Sequence, residues 1–144
     1  MLNVFNVAHF ILAQLGEITT VKLQKLLYYC QAWSLAWDGV PLFDEDFEAW
    51  ANGPVCHELF DFHKGRFLID SDFFRKFSDY SLNEDQEETI RSVLDYYASY
   101  SSQELSDMTH GERPWKEARE GFMPGEKCNN IISRDTMQEY YGGL

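Results

Sequence analysis

TTVKLQKLLYYCQAWSLAWDG, residues 19–39, is the stretch on which the fold turns. Thr19 has the chemistry of a helix N-cap, and Ile18 and Leu23 are spaced as a hydrophobic staple around it. Gly39 is the natural stop, so the sequence predicts a helix from residue 19 to about Asp38. At about 100° per residue, Leu23, Leu26, Cys30, Trp33 and Trp37 share one face, while Leu27, Tyr28 and Leu35 lie well round from it. A helix apolar on most sides belongs in the middle of a core. Lys22 projects close to the main apolar stripe, which predicts a nearby carboxylate, since a buried amine without a partner is costly. Glu48 is the expected partner, and Lys25 is expected at the surface.

Working outward, Val4, Val7, Ala8, Ile11 and Leu12 form the stripe of a first helix that Gly16 ends. After residue 39 the helical period is lost. Phe47, Ala49 and Ala51 alternate with Glu48 and Trp50, which predicts a short extended element near 46–52. Asn52-Gly53 reverses the chain, and Pro54 fits the first position of a helix over 54–64. Residues 66–82 are rich in aromatics, with one short helix over Phe73, Phe74 and Phe77. Asn83 with Gln86, and Ser101 with Glu104, have the spacing of capping boxes, predicting helices to about 100 and about 109. Pro114 opens a further turn, FMPGEKCNN reads as loop, and Ser133 caps a last helix with Met137, Tyr140 and Tyr141. The expectation is one domain over 1–144, mainly α, built around the central buried helix at about 19–38 with a minor β element.

With 144 residues the chain can bury a core without metal or disulfide support. Twelve Lys and Arg stand against 24 Asp and Glu, a net charge of −12. Nucleic-acid binding draws on Lys and Arg, and anionic membrane surfaces repel such a chain, so neither is an expected partner. A partner with a basic patch suits it, although simple solubility explains the charge equally well. No apolar run reaches membrane-span length, and the N-terminal stretch reads as a helix rather than a signal peptide. Cys30, Cys56 and Cys128 are odd in number and far apart, the pattern of reduced thiols in a cytoplasmic protein.

The densest cluster of reactive side chains is Cys56-His57-Glu58. Consecutive residues on a helix point about 100° apart and cannot grip one ion, so no metal or other cofactor is expected. Gly-x-Ser-x-Gly, Gly-x-Gly-x-x-Gly and the phosphate-binding loop are all missing, and no catalytic residues are assigned. A pairing of Cys30 with His110 across the fold stays open but has no local motif behind it. The aromatics carry more information: four Trp, eight Tyr and eleven Phe exceed what a core of this size needs. Tyr28, Tyr96, Tyr100, Tyr140 and Tyr141 are the candidates for a partner-binding surface, where tyrosine acts as an anchor.

TVKLQKLLYYCQAWSLAWDGVPLFDEDFEAWANGPV, then YASYSSQELSDMTHGERPW, then MQEYY together resemble the Panacea domain, the SocA-like antitoxin or phage-associated GepA family. The matching positions are Lys22, Leu23, Lys25, Leu26, Tyr28, Glu48, Ala49, Trp50, Gly53, Pro54, Val55, Leu105, Thr109, His110, Pro114 and Trp115. By this resemblance Lys22, Glu48, Trp50, Gly53, Pro54, Thr109, His110, Pro114 and Trp115 are structural motif residues, and 53–55 is a fold-defining Gly-Pro-Val turn. Many relatives place an apolar residue and a proline after that turn, where this chain has Cys56 and His57. The resemblance implies an antitoxin, often prophage-encoded, that neutralises a cognate protein toxin by direct contact. It also admits a proteolytic adaptor that delivers the toxin to a ClpXP-type protease, or a phage protein that blocks a host defence protein. An enzyme using an unrecognised site is the remaining class.

Overall fold

The structure, a computed structural model, describes residues 2–144. Helix α1 (Val4–Leu15) is closed at its start by a reciprocal box, in which Asn6 N donates to Asn3 Oδ1 and Asn3 N donates to Asn6 Oδ1. The short strand β1 (Ile18–Thr19) leads into α2 (Thr20–Asp38). Thr19 Oγ1 accepts from Lys22 N at 3.1 Å, and Gly39 ends the helix in the left-handed region at φ 71°. Both predicted boundaries of the central helix are found. From Leu23 to Ala32 every residue of α2 is buried, and the helix touches α1 and four later elements. Trp37 departs from the predicted stripe: it is half exposed at the outer end of α2, two residues past Leu35, the last core residue of the helix.

The chain next forms the hairpin β2 (Glu48–Trp50) and β3 (Gly53–Val55), paired antiparallel with Ala49 opposite Pro54. Pro54 therefore does not start a helix. It lies in a strand, where a two-stranded ribbon tolerates the missing N–H, and α3 begins later, covering His57–His63. Strand β4 (Leu68–Ile69) pairs back onto β1, and a 3₁₀ segment at Ser71–Phe77 packs on α1 through stacked Phe5 and Phe77 rings 4.6 Å apart.

Four helices complete the chain: α4 (Glu84–Tyr97), α5 (Ser102–His110), α6 (Arg113–Ala118) and α7 (Arg134–Gly142). The capping boxes predicted at Asn83/Gln86 and Ser101/Glu104 are both closed, and Ser133 caps α7. The result is a mainly helical fold with α2 at its centre, flanked by α7 and α4 on one side and by the hairpin and α5 on another. Buried Gln31 of α2 accepts from Leu42 N and donates to Phe43 O, both at 2.8 Å, tying the 40–43 loop to the helix. A polar side chain in that position is acceptable because both its groups are paired.

Candidate functional site

Lys25, on the face of α2 turned to the hairpin, is 2% exposed. Its Nζ donates to Pro54 O at 3.1 Å, and among the described residues no carboxylate forms an ion pair with it. Burial lowers its pKa to about 8. Gly53 makes room for this side chain. Its φ is +119°, and a Cβ there would fall 2.7 Å from Lys25 Cε and 3.0 Å from Thr109 Oγ1. Thr109 is itself fully buried and donates to Ser106 O at 2.7 Å. The His110 ring stacks on Trp115 at 4.2 Å, and Trp115 Nε1 donates to Trp50 O at 2.9 Å, fastening α6 to the hairpin. His110 Nε2 is buried without a hydrogen-bond partner. Desolvation holds its pKa below the ordinary value, helped by the Lys25 and Arg119 charges and opposed by Asp107.

Lys22 and Glu48, expected to meet, do not. Lys22 reaches the far side of α2 and donates to Ala98 O at 2.6 Å, at the C-terminal end of α4. Glu48 accepts from Trp50 Nε1 at 2.8 Å and contacts the exposed His57 ring at 3.3 Å. The buried amine of α2 is Lys25, and it is compensated by a carbonyl rather than a carboxylate.

Beside Lys25 lies a pocket of about 540 Å³ between the first turns of α2, the hairpin, α3 and the loop at 125–129. Trp50 and Phe60 form its aromatic wall, with ring centroids 4.9 Å apart. Gln24 holds its floor: Oε1 accepts from Cys56 N at 2.8 Å, while Nε2 donates to Cys56 O at 3.2 Å and lies 3.1 Å from His63 Nε2. An amide nitrogen only donates, so His63 Nε2 is the acceptor and the neutral ring carries its proton on Nδ1. Desolvation keeps His63 below its ordinary pKa, in keeping with that neutral form. Arg119, buried, ties the hairpin to the 123–126 loop by donating to Ala49 O at 2.8 Å, Met123 O at 3.2 Å and Glu126 O at 2.6 Å. The three cysteines are free and buried, and burial pushes the Cys56 thiol up to about 12.

The five candidate tyrosines divide. Tyr28 and Tyr141 are core residues, 0% and 1% exposed, and cannot anchor a partner from inside the fold. Their hydroxyls meet at 3.1 Å, and Tyr141 also donates to Glu112 Oε1 at 2.8 Å, which accepts from Tyr29 as well at 2.7 Å. This half-buried carboxylate has its pKa raised by desolvation, against the two tyrosine hydrogen bonds. Tyr96 is exposed, and Tyr100 and Tyr140 are half-buried. They belong to an aromatic face that crosses α2, α4 and α7. Exposed Trp37 packs on Trp33 at 4.9 Å, Trp33 Nε1 donates to Tyr97 OH at 2.9 Å, and Tyr97 contacts Tyr96 at 4.7 Å.

Within residues 23–116 the chain matches the family described as "Antitoxin SocA-like, Panacea domain". The chain belongs to this family. No curated protein and no solved structure matches it. The motif cluster around Lys25, from the hairpin to Trp115, falls inside the matched Panacea segment, whereas α1 and α7 flank it. Sequence reasoning missed Lys25, Gln24 and Glu112 as interior polar groups. The signal available for Lys25 was its place beside Gly53 in the motif set, because a glycine at positive φ marks a close approach by another group.

Proposed function

We propose that this Panacea-domain chain is a cytoplasmic antitoxin that neutralises a cognate protein toxin by binding it. Family membership is the observation that carries the reading. The aromatic face supplies a surface of the right chemistry, with Trp37 and Tyr96 exposed by 53% and 57% and supported from beneath by Trp33 and Tyr97. Tyr and Trp are the residues most enriched among interface anchors, and rigid support from below lowers the entropy lost on docking. A net charge of −12 favours a basic toxin surface through faster encounter. An interface of this kind buries about 1,200–2,000 Å² in total.

The test is co-expression with the product of the adjacent gene, scored by growth rescue and by size-exclusion of the mixture. Trp37→Ala and Tyr96→Ala are each expected to weaken the complex about tenfold or more, a loss of about 1.4 kcal/mol, while leaving the melting temperature of the free chain unchanged. A complex that ignores both substitutions rules out this face. Rescue without any complex, with toxin levels falling only when ClpXP is present, replaces neutralisation by the adaptor reading.

A further inference from the structure

We infer that the pocket beside Lys25 is a receptor for a carboxylate carried on a flat apolar body. The buried ammonium has three donors, and Pro54 O takes one. No acidic side chain pairs with it among the described residues, so its charge is left without a counter-ion inside the fold. The lining carries the cations Lys25 and Lys127 but neither Asp nor Glu, in a chain whose acids outnumber its Lys and Arg 24 to 12; the neighbouring carboxylate, Glu48, is engaged by Trp50 Nε1 and His57. The first turn of α2 also borders the cavity, and the positive end of a helix favours an anion.

The size and walls narrow the ligand further. About 540 Å³ is within the range of small-ligand sites, roughly 300–1,000 Å³. Trp50, Phe60 and Val55 offer flat apolar contact. The lining has one fully buried cation and no arginine, which suits a single negative charge better than a phosphate with three oxygens to satisfy. His63 is already engaged by Gln24 and His57 by Glu48, so the ammonium groups of Lys25 and Lys127 are left to receive the anion, and Lys25 is the one held in place by the fold. The same chemistry can arrive on a free organic acid or on the end of a partner polypeptide. This inference stands apart from toxin neutralisation and does not depend on it.

The test is a titration of the ¹⁵N-labelled full chain with two probes and their neutral counterparts. One pair is 3-phenylpropionate and 3-phenylpropionamide. The other is N-acetyl-Ala-Ala-Phe with a free or an amidated C-terminus. At least one acid is expected to shift the Trp50 indole and Lys25 ammonium signals, with a Kd of about 1 mM or tighter and about tenfold weaker binding of its amide, the loss of a charge-assisted hydrogen bond. Whichever acid binds more tightly identifies the source. Lys25→Met, confirmed as folded by its amide spectrum, is expected to bind acid and amide equally. Equal binding of acid and amide by the unaltered chain, a preference that survives Lys25→Met, or no binding of either acid at about ten times that Kd overturns the inference.

Discussion

Lys25→Met is expected to make the protein more stable. The drop in the amine's pKa from 10.5 to about 8 comes from desolvation. At about 1.36 kcal/mol per pKa unit it corresponds to about 3 kcal/mol of unfavourable free energy when the group is charged. Methionine fills nearly the same volume without that charge. Against this stands the hydrogen bond to Pro54 O, whose loss leaves a buried acceptor unpaired at a cost of about 1–2 kcal/mol. The net gain at pH 7 is about 1–2 kcal/mol. Its pH dependence has a definite sign. Between about pH 8 and 10.5 the unfolded chain holds a proton on Lys25 that the native chain has released, so the native protein gains stability as pH rises through that window. Below it both states are charged and the whole penalty is present. Buried tyrosines and cysteines also titrate on the alkaline side, but they do so in both proteins, and the difference between variant and parent isolates Lys25. Urea unfolding of the two proteins at pH 7 and at pH 10 measures it. The variant should lead at pH 7 and lose much of its lead at pH 10. A variant less stable at pH 7, or a difference that does not change with pH, would refute the claim that the native amine is buried without a counter-ion.

Gly53→Ala should destabilise the fold by about 2 kcal/mol or more, because φ +119° is closed to alanine and the new methyl meets Lys25 Cε and Thr109 Oγ1; thermal unfolding followed by circular dichroism reads this, and an unchanged melting temperature would deny the close approach. Glu112→Gln should be neutral or stabilising near pH 7, since the amide oxygen can still accept from Tyr29 and Tyr141 without a buried charge, whereas Glu112→Ala should cost about 2–4 kcal/mol by leaving those hydroxyls unpaired; equal melting temperatures for the two variants would contradict the network.

The helices of this fold are legible in the sequence wherever a local chemical signal marks an end. Thr19, Asn83, Ser101 and Ser133 cap the helices they were expected to cap, because the hydrogen bond from a side chain to a backbone N–H two or three residues on is decided within one turn. Residues 52–57 were harder. Asn52-Gly53 does turn the chain, but Pro54 satisfies two rules at once, first helical position and edge strand. The choice was made by pairing with Ala49, which itself bonds through its N–H to Asn130 O, a contact 81 positions away in the sequence. Local propensity carries no information about such a partner.

The buried lysine shows the same limit for the candidate site. Lys25 lies about 200° round the helix from Leu23, on the side that an amphipathic reading gives to solvent. That logic holds for a helix with one covered face. α2 is covered on every side, so angular position no longer separates core from surface, and what each lysine meets depends on which later element arrives over it. Lys22 meets the carbonyl at the end of α4, whereas Lys25 meets the hairpin, at the point where Gly53 has no side chain to obstruct it. Trp37 and Tyr28 err in opposite directions for the same reason: the ring outside the core layers is exposed, and the ring beneath α7 is enclosed. A buried lysine that no acid neutralises is a cost to folding, and Gly53 at positive φ is what leaves room for it. The stability of Lys25→Met and its loss of preference for an acid over its amide test the same property of that amine, a buried charge without a counter-ion, and the two results must agree.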